Sequence, residues 1–450
     1  MTRYPTYPNY SPEGTPSTWE KKRLRFVLKM NPSKSEIKLD NTDLVSFVPM
    51  DAVGEYGGIR LSEEKELGEI GGGYTYFSDD DVVVAKITPC FENGKGALAK
   101  GLTNKTAFGT TELHVMRTNP SLLDPHFLFY LTISDLFRKT GESEMYGAGG
   151  QKRVPESFFK DFRAGLPSME EQQAITRFLN FKTAQIDALI AKQQFLLAKL
   201  AEKRTALISH AVTKGLDPSV PMQDSEVQWL GDIPTHWKTT RIKFVARVGN
   251  GSTPSRDKPD YWVDGYFPWL NSSVVNQEAV TESDQFVTDL ALKECHLPII
   301  TPPAVLVGIT GQGKTRGMAS KLSTIATINQ HLAYIKPTTN DIRVDYLLFL
   351  FERAYSFLRS ESDGGGSTKG AITCEQIANL EIPLPPASEQ AAIEVYVADE
   401  LEMLRNMNQR VANVVEKLQE YRSALITNAV TGKIDVRGFR VPHIDAEVAS

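Results

Sequence analysis

Leu166-Pro167-Ser168-Met169-Glu170-Glu171-Gln172-Gln173-Ala174-Ile175 returns 218 residues later as Leu384-Pro385-Pro386-Ala387-Ser388-Glu389-Gln390-Ala391-Ala392-Ile393. The same offset relates Trp19-Glu20-Lys21-Lys22-Arg23-Leu24-Arg25-Phe26-Val27 to Trp237-Lys238-Thr239-Thr240-Arg241-Ile242-Lys243-Phe244-Val245. It holds again between Arg204, Ala206-Leu207-Ile208 and Ala211-Val212-Thr213 and their counterparts Arg422, Ala424-Leu425-Ile426 and Ala429-Val430-Thr431. One offset kept across three separated blocks marks a duplication, because chance matches drift. Each half is a globular segment followed by a long helix.

The helices announce their ends. Ser168-Met169-Glu170-Glu171 is a capping-box pattern, and Ser388 offers a cap for the second helix. Lys214-Gly215 with Pro218 beyond it stops the first helix, and Gly432-Lys433 stops the second. Between these ends a spacing of alternately four and three residues selects Ile175, Leu179, Lys182, Ile186, Leu189, Gln193, Leu196, Leu200, Lys203 and Leu207. In the second helix it selects Ile393, Val397, Glu400, Leu404, Met407, Val411, Val414, Leu418, Tyr421 and Leu425. A period of 3.5 is a coiled-coil seam, and the simplest partner for each stripe is the other helix. The competing reading packs each helix on its own globular segment. About 33 residues span roughly 50 Å, more than a small domain covers, so the antiparallel pair is preferred.

The bulk composition narrows the class. With 450 residues the chain has material for several domains, and 41% hydrophobic with 23% charged content is that of an ordinary folded protein. No run of about 18 apolar residues suggests a membrane span, and Met1-Thr2-Arg3-Tyr4-Pro5 lacks the apolar core of a signal peptide. Cys90, Cys295 and Cys374 lie far apart without metal-like spacing, which fits a reducing cytoplasm. The seven histidines are scattered and the net charge is −5. That argues against a protein that coats DNA without regard to sequence, and leaves room for local basic loops.

The globular segments read as mixed α/β. Asp81–Ile87 and Ala304–Ile309 are β-branched runs at comparable places, Glu112–Arg117 and His331–Lys336 a second strand pair, and Phe127–Leu131 and Tyr346–Leu350 the starts of helices. Gly147–Lys152 and Gly364–Lys369 are loops. Gly308-Ile309-Thr310-Gly311-Gln312-Gly313-Lys314-Thr315 matches the P-loop pattern. The segment after it is glycine-broken and β-branched, where a phosphate-binding loop needs a helix, so a Gly-Lys turn or a plain structural hairpin is preferred. Asp51 with Glu63-Glu64-Lys65 is a loose acid–acid–lysine set of the kind acidic loops often produce. No Asp/Asn-Pro-Pro-aromatic tetrapeptide or strand-linked Gly-x-Gly loop supports a methyltransferase. No catalytic and no metal-ligating residue is assigned.

DNA recognition needs cations for phosphate and amide or guanidinium forks for base edges. The first half offers Lys86, Asn93, Lys95, Gln151, Lys152 and Arg153 on or beside loops, and the second Gln312, Lys314, Arg316, Ser367, Thr368 and Lys369. Any one of these alone reads as a solvated surface residue. Their recurrence beside glycine turns in both halves points to the loops. Trp262 and Trp269 read as core.

At this point the chain resembles the specificity subunits of type I restriction–modification systems. The resemblance rests on Gln228-Trp229-Leu230-Gly231-Asp232-Ile233-Pro234-Thr235-His236-Trp237, on Ile87-Thr88-Pro89-Cys90-Phe91-Glu92-Asn93-Gly94-Lys95, on the two Leu-Pro…Glu-Gln junctions, and on the exit Ala211-Val212-Thr213-Lys214-Gly215. It covers nearly the whole chain, although Ser11 to Trp19 lacks the Trp-Leu-Gly entry. It implies an α+β architecture of two tandem target recognition domains, 1–167 and 237–385. The long helical regions 168–215 and 386–433 would form an antiparallel coiled coil, with a linker at 216–236 and a tail at 434–450. Seam residues Ile175, Leu179, Ile186, Leu189, Leu196, Leu200, Leu207, Ile393, Val397, Leu404, Met407, Val411, Val414, Leu418 and Leu425 would carry that coil and its partners. The resemblance also implies a non-catalytic, cytoplasmic subunit that reads a split double-stranded DNA target. Two modification subunits holding S-adenosylmethionine would methylate adenine, and two restriction subunits using ATP and Mg²⁺ would complete the nuclease. The alternatives are a stand-alone P-loop nucleotide hydrolase or methyltransferase acting on DNA, a structural scaffold whose recognition domains bind protein, and a DNA-specific recognition module joined to a different effector.

Overall fold

The computed structural model describes residues 4–7, 14–148, 150–311, 313–363 and 370–442. Its contacts divide the chain into two units, Met1–Gln194 with Ala412–Ser450, and Phe195–Val411. Each unit thus combines a globular region with the first stretch of one long helix and the last stretch of the other.

In the first unit β1 (Glu20–Arg23) and β10 (Arg163–Leu166) pair antiparallel, so the chain enters and leaves the globular region side by side. One antiparallel sheet has the order β2 (Leu28–Met30), β9 (Leu113–Thr118), β6 (Val82–Ala85), β7 (Gly96–Leu98). A second has the order β4 (Glu64–Glu66), β3 (Leu44–Val48), β8 (Thr106–Gly109), β5 (Thr75–Ser78), with β3 and β8 parallel. All four residues of β6, Val-Val-Val-Ala, are buried. A strand covered on both faces needs such an unbroken β-branched run. Helix α1 (Pro125–Thr132) starts where Asp124 accepts from the His126 and Phe127 amides and proline takes the first position. Ser134 caps α2 (Asp135–Ser143), and α3 (Glu156–Asp161) leads into β10.

The second unit repeats this plan. After α4 (Met169–Lys214), β11 (Met222–Asp224) and β12 (Asp232–Pro234) form a hairpin ahead of β13 (Lys238–Arg241). β13 pairs with β22 (Glu381–Leu384) as β1 does with β10. The main sheet has the order β14 (Ala246–Asn250), β21 (Leu332–Pro337), β18 (Ala304–Gly308), β19 (Ala319–Leu322), β16 (Ala279–Val280). A small sheet of β17 (Phe286–Val287), β15 (Phe267–Leu270) and β20 (Thr327–Ile328) supports it. Its β15–β20 pair is parallel, as β3–β8 is in the first unit. Single-turn α5 (Ile242–Val245), α6 (Asp289–Glu294), the long α7 (Val344–Asp363) and α8 (Cys374–Asn379) precede α9 (Ala387–Val430).

The long helices end as their glycines require: Gly215 and Gly432 both take positive φ, +74° and +70°. Ser168 caps α4 by accepting from the Glu171 amide (3.4 Å). Ser388 does not cap α9, which starts at Ala387 and places that serine inside its first turn. In the first unit Ile175, Phe178, Leu179 and Ile186 share a core with Leu425, Ile426, Ala429 and Val430. In the second, Ile208, Ala211 and Val212 meet Ile393 and Val397. In each unit the start of one helix lies beside the end of the other, so the two segments run antiparallel.

The phase of the seam differs from the sequence expectation in mid-helix. Ile175, Leu179, Ile186, Leu200, Ile393, Val397, Leu404 and Leu425 are buried, and Leu207, Val411 and Leu418 half-buried. Leu189, Leu196, Met407 and Val414 are exposed, by 40–46%. The half-buried residues there are Ile190, Leu197, Asn408 and Val415, one position further on in both copies. A straight helix has 3.6 residues per turn and drifts about 20° per heptad from a strict 3.5 repeat. Where the sequence supplies adjacent apolar residues, Leu189-Ile190, Leu196-Leu197 and Val414-Val415, the drift moves the contact to the next residue. Among the described residues no helix is long and apolar enough to cross a membrane.

Candidate nucleic-acid interface

The junction residues of the repeat build the base on which each loop face stands. Gln172 is buried and donates through Nε2 to the carbonyls of Pro167 (3.0 Å) and Leu122 (3.1 Å), while Oε1 accepts from the Asp124 amide (2.8 Å). Gln390 does the same with Pro385 (2.9 Å), Asp341 (2.6 Å) and the Arg343 amide (2.9 Å). Glu171 accepts from Trp19 Nε1 (3.2 Å) and from the Tyr7 hydroxyl, and Glu389 accepts from Trp237 Nε1 (2.8 Å) and pairs with His236 (2.6 Å). The duplicated Trp and Glu therefore tie the entry of each globular region to its exit helix, and the duplicated Gln ties that helix to the segment just ahead of α1 or α7.

Above this base each unit presents the same loop framework. In the first, the Lys86 amide donates to the Glu112 carbonyl (2.9 Å) and the Val154 amide to the Lys86 carbonyl (2.8 Å). In the second, the Ile309 amide donates to His331 (3.0 Å) and the Ile372 amide to Ile309 (2.9 Å). The connection that follows the central strand, the turn before the next strand and a returning strap thus meet at one edge of each sheet. The Thr88 amide further ties the first loop to the Lys152 carbonyl (3.0 Å), so the structure brings Lys86, Gln151, Lys152 and Arg153 together. Asn93 and Lys95 lie on the other side of that loop. Asn93 donates to Glu55 (3.4 Å) and Lys95 Nζ to the Met50 carbonyl (3.1 Å).

The charged groups divide into those spent on the fold and those left open. Arg153 forms a two-pronged bond with Glu112 (2.9 and 2.8 Å), which lowers the Glu112 carboxyl below its ordinary range. Arg316 is buried and paired with Asp363 (2.5 Å). In the structure as it stands Arg153, Arg316 and Lys95 therefore bind protein groups. Gln151, Lys152 and Lys314 are exposed, and Lys86 is half-buried; among the described residues their side chains make no hydrogen bond or ion pair. Gln312, Ser367, Thr368 and Lys369 lie outside the described residues. Trp269 is buried and Trp262 half-buried, packed edge to face at 5.2 Å.

Several residues at the same edge escaped the sequence reading. Thr253 donates to Gln330 (2.6 Å), whose Nε2 lies 3.2 Å from His331, and His331 Nδ1 is 2.8 Å from the Thr310 hydroxyl. This chain crosses three loops and holds the exposed Gln330 amide in place. Its counterpart turn in the first unit carries Glu112, partner of Arg153. The signal available was the recurrence of that turn ahead of both strands. His114, buried below it, donates from Nε2 to the Val154 carbonyl (3.2 Å), and burial pushes its pKa down to about 4.

The enzyme alternatives fail locally. Gly308–Thr315 is not followed by a helix: it turns directly into antiparallel β19, with the Gly308 amide on Met318 (2.9 Å) and the Gly317 amide on Gly308 (2.7 Å). A hairpin cannot aim a helix N-terminus at phosphate. Asp51 pairs with Arg60 (2.7 Å), Glu64 accepts from Thr103 (2.5 Å), and Lys65 stacks on Phe47 (3.7 Å), so the acid–acid–lysine set is dispersed. Among the described residues no cluster of three or more His, Cys, Asp or Glu is placed to hold a metal.

Comparison with known proteins agrees with this geometry. Residues 234–416 match the family model described as the type I restriction modification DNA specificity domain. The EcoAI specificity subunit of Escherichia coli is 24% identical over 92% of this chain and 82% of its own length. The EcoEI specificity subunit of the same species is 38% identical over 197 residues, 43% of this chain and 31% of that one. A chain from a solved type I restriction–modification system shares the fold, with a TM-score of 0.71 at 19% identity over 93% of this chain and 99% of that one. A tandem repeat of loop-bearing domains, each tied by Trp, Glu and Gln to a long helix, makes this chain similar over nearly its full length to the specificity subunits of type I restriction–modification systems.

Proposed function

We propose that each globular region reads one half of a split double-stranded DNA target with the loop edge described above. The observation that carries this reading is the repeated main-chain framework, Lys86–Glu112–Val154 and Ile309–His331–Ile372, which bears different side chains in the two units. One scaffold with two sets of side chains suits two half-sites of different sequence. Lys86, Lys152 and Lys314 supply cations for phosphate, and Gln151 and Gln330 supply amides for base edges. Of the remaining sequence candidates, Arg153, Arg316 and Lys95 shape the loops from within, and Asn93 faces the neighbouring loop through Glu55.

The long helices recruit the other subunits and set the unread spacer. Exposed Leu189 and Val414 of the first unit, and Phe195, Leu196, Met403 and Met407 of the second, offer apolar side chains to helices of two modification subunits. Those subunits hold S-adenosylmethionine and methylate adenine; two restriction subunits bring ATP and Mg²⁺. This chain contributes recognition alone, in the cytoplasm.

The test is a chimera made in the assembled methyltransferase. Residues 237–385 are replaced by the corresponding segment of another family member, and the methylated motif of the host chromosome is sequenced. One half-site changes and the other stays. A motif that changes in both halves together refutes the two-reader model.

A further inference from the structure

Each reading loop is held from behind by one arginine of the helical layer. In the first unit Arg138, on α2, donates through Nη1 to the main-chain carbonyl of Phe91, and its guanidinium lies 4.7 Å from the centre of the Phe91 ring. Phe91 is fully buried against Gly141, where a β-carbon would lie only 2.4 Å from its Cζ. Arg138 is itself buried, and its Nε and Nη2 have no hydrogen-bond partner among the described residues. Burying a guanidinium with unused N–H groups is costly, so packing alone does not favour an arginine here. Among the described residues the one hydrogen bond its side chain makes is to the backbone of the loop.

The second unit has the same device in another form. Arg359, on α7, donates through Nη1 to the carbonyls of Gly313 (2.7 Å) and Arg316 (3.1 Å). Tyr355, one turn earlier, donates its hydroxyl to the Lys314 carbonyl (3.0 Å). Both arginines grip main-chain carbonyls in the connection after the central strand, β6 in one unit and β18 in the other. A grip on carbonyls is indifferent to loop side chains. It fixes the course of the backbone while leaving the outward residues free to differ between the two readers.

We propose that Arg138 and Arg359 are positioning residues for sequence reading, each setting the selectivity of its own recognition domain, and so of one half-site only. The inference rests on the reading of these loops as DNA-facing. A loop whose carbonyls are released samples several courses, so its outward groups no longer meet one base pattern better than its neighbours.

The experiment uses the chain produced with its own modification subunit and scores chromosomal methylation at cognate sites and at sites mismatched once in either half. A correctly read base pair is worth about 1–3 kcal/mol. Arg138→Met therefore lowers discrimination about tenfold in one half-site and by less than about twofold in the other. Arg359→Met does the reverse. Arg138→Lys and Arg359→Lys keep most of the discrimination, because each arginine grips its loop through Nη1 alone and a lysine ammonium offers three donors on one nitrogen. If Arg138→Met does not accumulate as folded protein, Arg138→Lys and Arg359→Met carry the test. A uniform fall in methylation with the motif intact, or relaxation of both half-sites by one variant, overturns the proposal. Lys152→Ala and Lys314→Ala separate the two levels. If they too leave DNA affinity and motif unchanged, the loops do not face DNA and the underlying reading fails. If they weaken binding while the arginine variants keep the motif, only the positioning role fails.

Discussion

Replacing Gln390 by methionine preserves side-chain volume and removes three hydrogen bonds at once. The amide donates to Pro385 and Asp341 and accepts from the Arg343 amide. Each buried polar group left unpaired costs about 1–3 kcal/mol. Asp341 and Arg343 are exposed residues, so water replaces the lost partner there and those two losses fall at the low end. Pro385 is buried at the foot of α9, and its carbonyl keeps a larger share. The sum is about 3 kcal/mol rather than about 9. For a unit of this size each kcal/mol moves the midpoint by about 2–4 °C, so Gln390→Met lowers the unfolding temperature of the second unit by about 6–12 °C. Scanning calorimetry of the purified full chain measures the shift, and hydrogen exchange at the Arg343 amide reports the local opening. Gln172→Met acts alike on the first unit through Pro167, Leu122 and Asp124. A midpoint lowered by less than about 2 °C, or an Arg343 amide that exchanges no faster, refutes the claim that this glutamine ties domain to helix.

Other outcomes follow from the site. Lys314→Ala leaves ATP turnover of the full restriction complex intact at saturating DNA, because its loop is a hairpin; loss of nucleotide binding by this chain on that change would revive the P-loop reading. Lys152→Ala, if that lysine meets phosphate, weakens binding to all sequences and lowers the salt slope by about one unit, measured by DNA titration at several salt concentrations. His114 is held neutral with a pKa of about 4, below its ordinary 6.5. As pH falls through that window the unfolded chain takes a proton that the folded one refuses, so stability is full above about pH 6.5 and declines toward pH 4, by about 3 kcal/mol at most. His114→Gln flattens the decline, read as the denaturation midpoint against pH; an unchanged slope assigns the acid loss elsewhere. Four residues inserted near Gln193 add about 6 Å of helix and lengthen the unread spacer by about one or two base pairs. Methylation sequencing reads that outcome, and an unchanged spacer with full activity separates spacer length from the helices.

Much of the architecture was legible because the sequence states it twice. The offset between Trp19 and Trp237 and between Gln172 and Gln390 marks residues that hold the same contacts in both units, and hydrogen bonds of fixed geometry tolerate few replacements. The β-branched runs at β6 and β18 were legible because strands covered on both faces admit little else. The seam phase was not. Leu189 and Ile190 are equally apolar, and the choice between them depends on the accumulated drift of a straight helix, which residue type does not encode. Ser388 was misread for a related reason: a serine near a proline-bounded start looks like a cap, and only the backbone shows that α9 begins one residue earlier.

The loop face was legible as a place and not as a set of contacts, and the reason is physical. Glycine turns with nearby Lys, Arg and Gln show where the chain reverses among polar groups. They do not show which cation already has a partner inside the protein. Arg153 and Lys152 are neighbours, yet one is bound to Glu112, which lies far from it in sequence, while the other is open. Arg316 reads as an exposed loop cation and is buried on Asp363. The pairings join residues about forty positions apart or more, so no local pattern reveals them. The same holds for Arg138 and Arg359, which sit within helical sequence and act on loops in another part of the chain. In a duplicated reader the scaffold bonds recur at one offset and can be found by comparing the halves. The groups that distinguish the two readers are those that do not recur, and only the folded chain separates the ones turned inward from the ones left open.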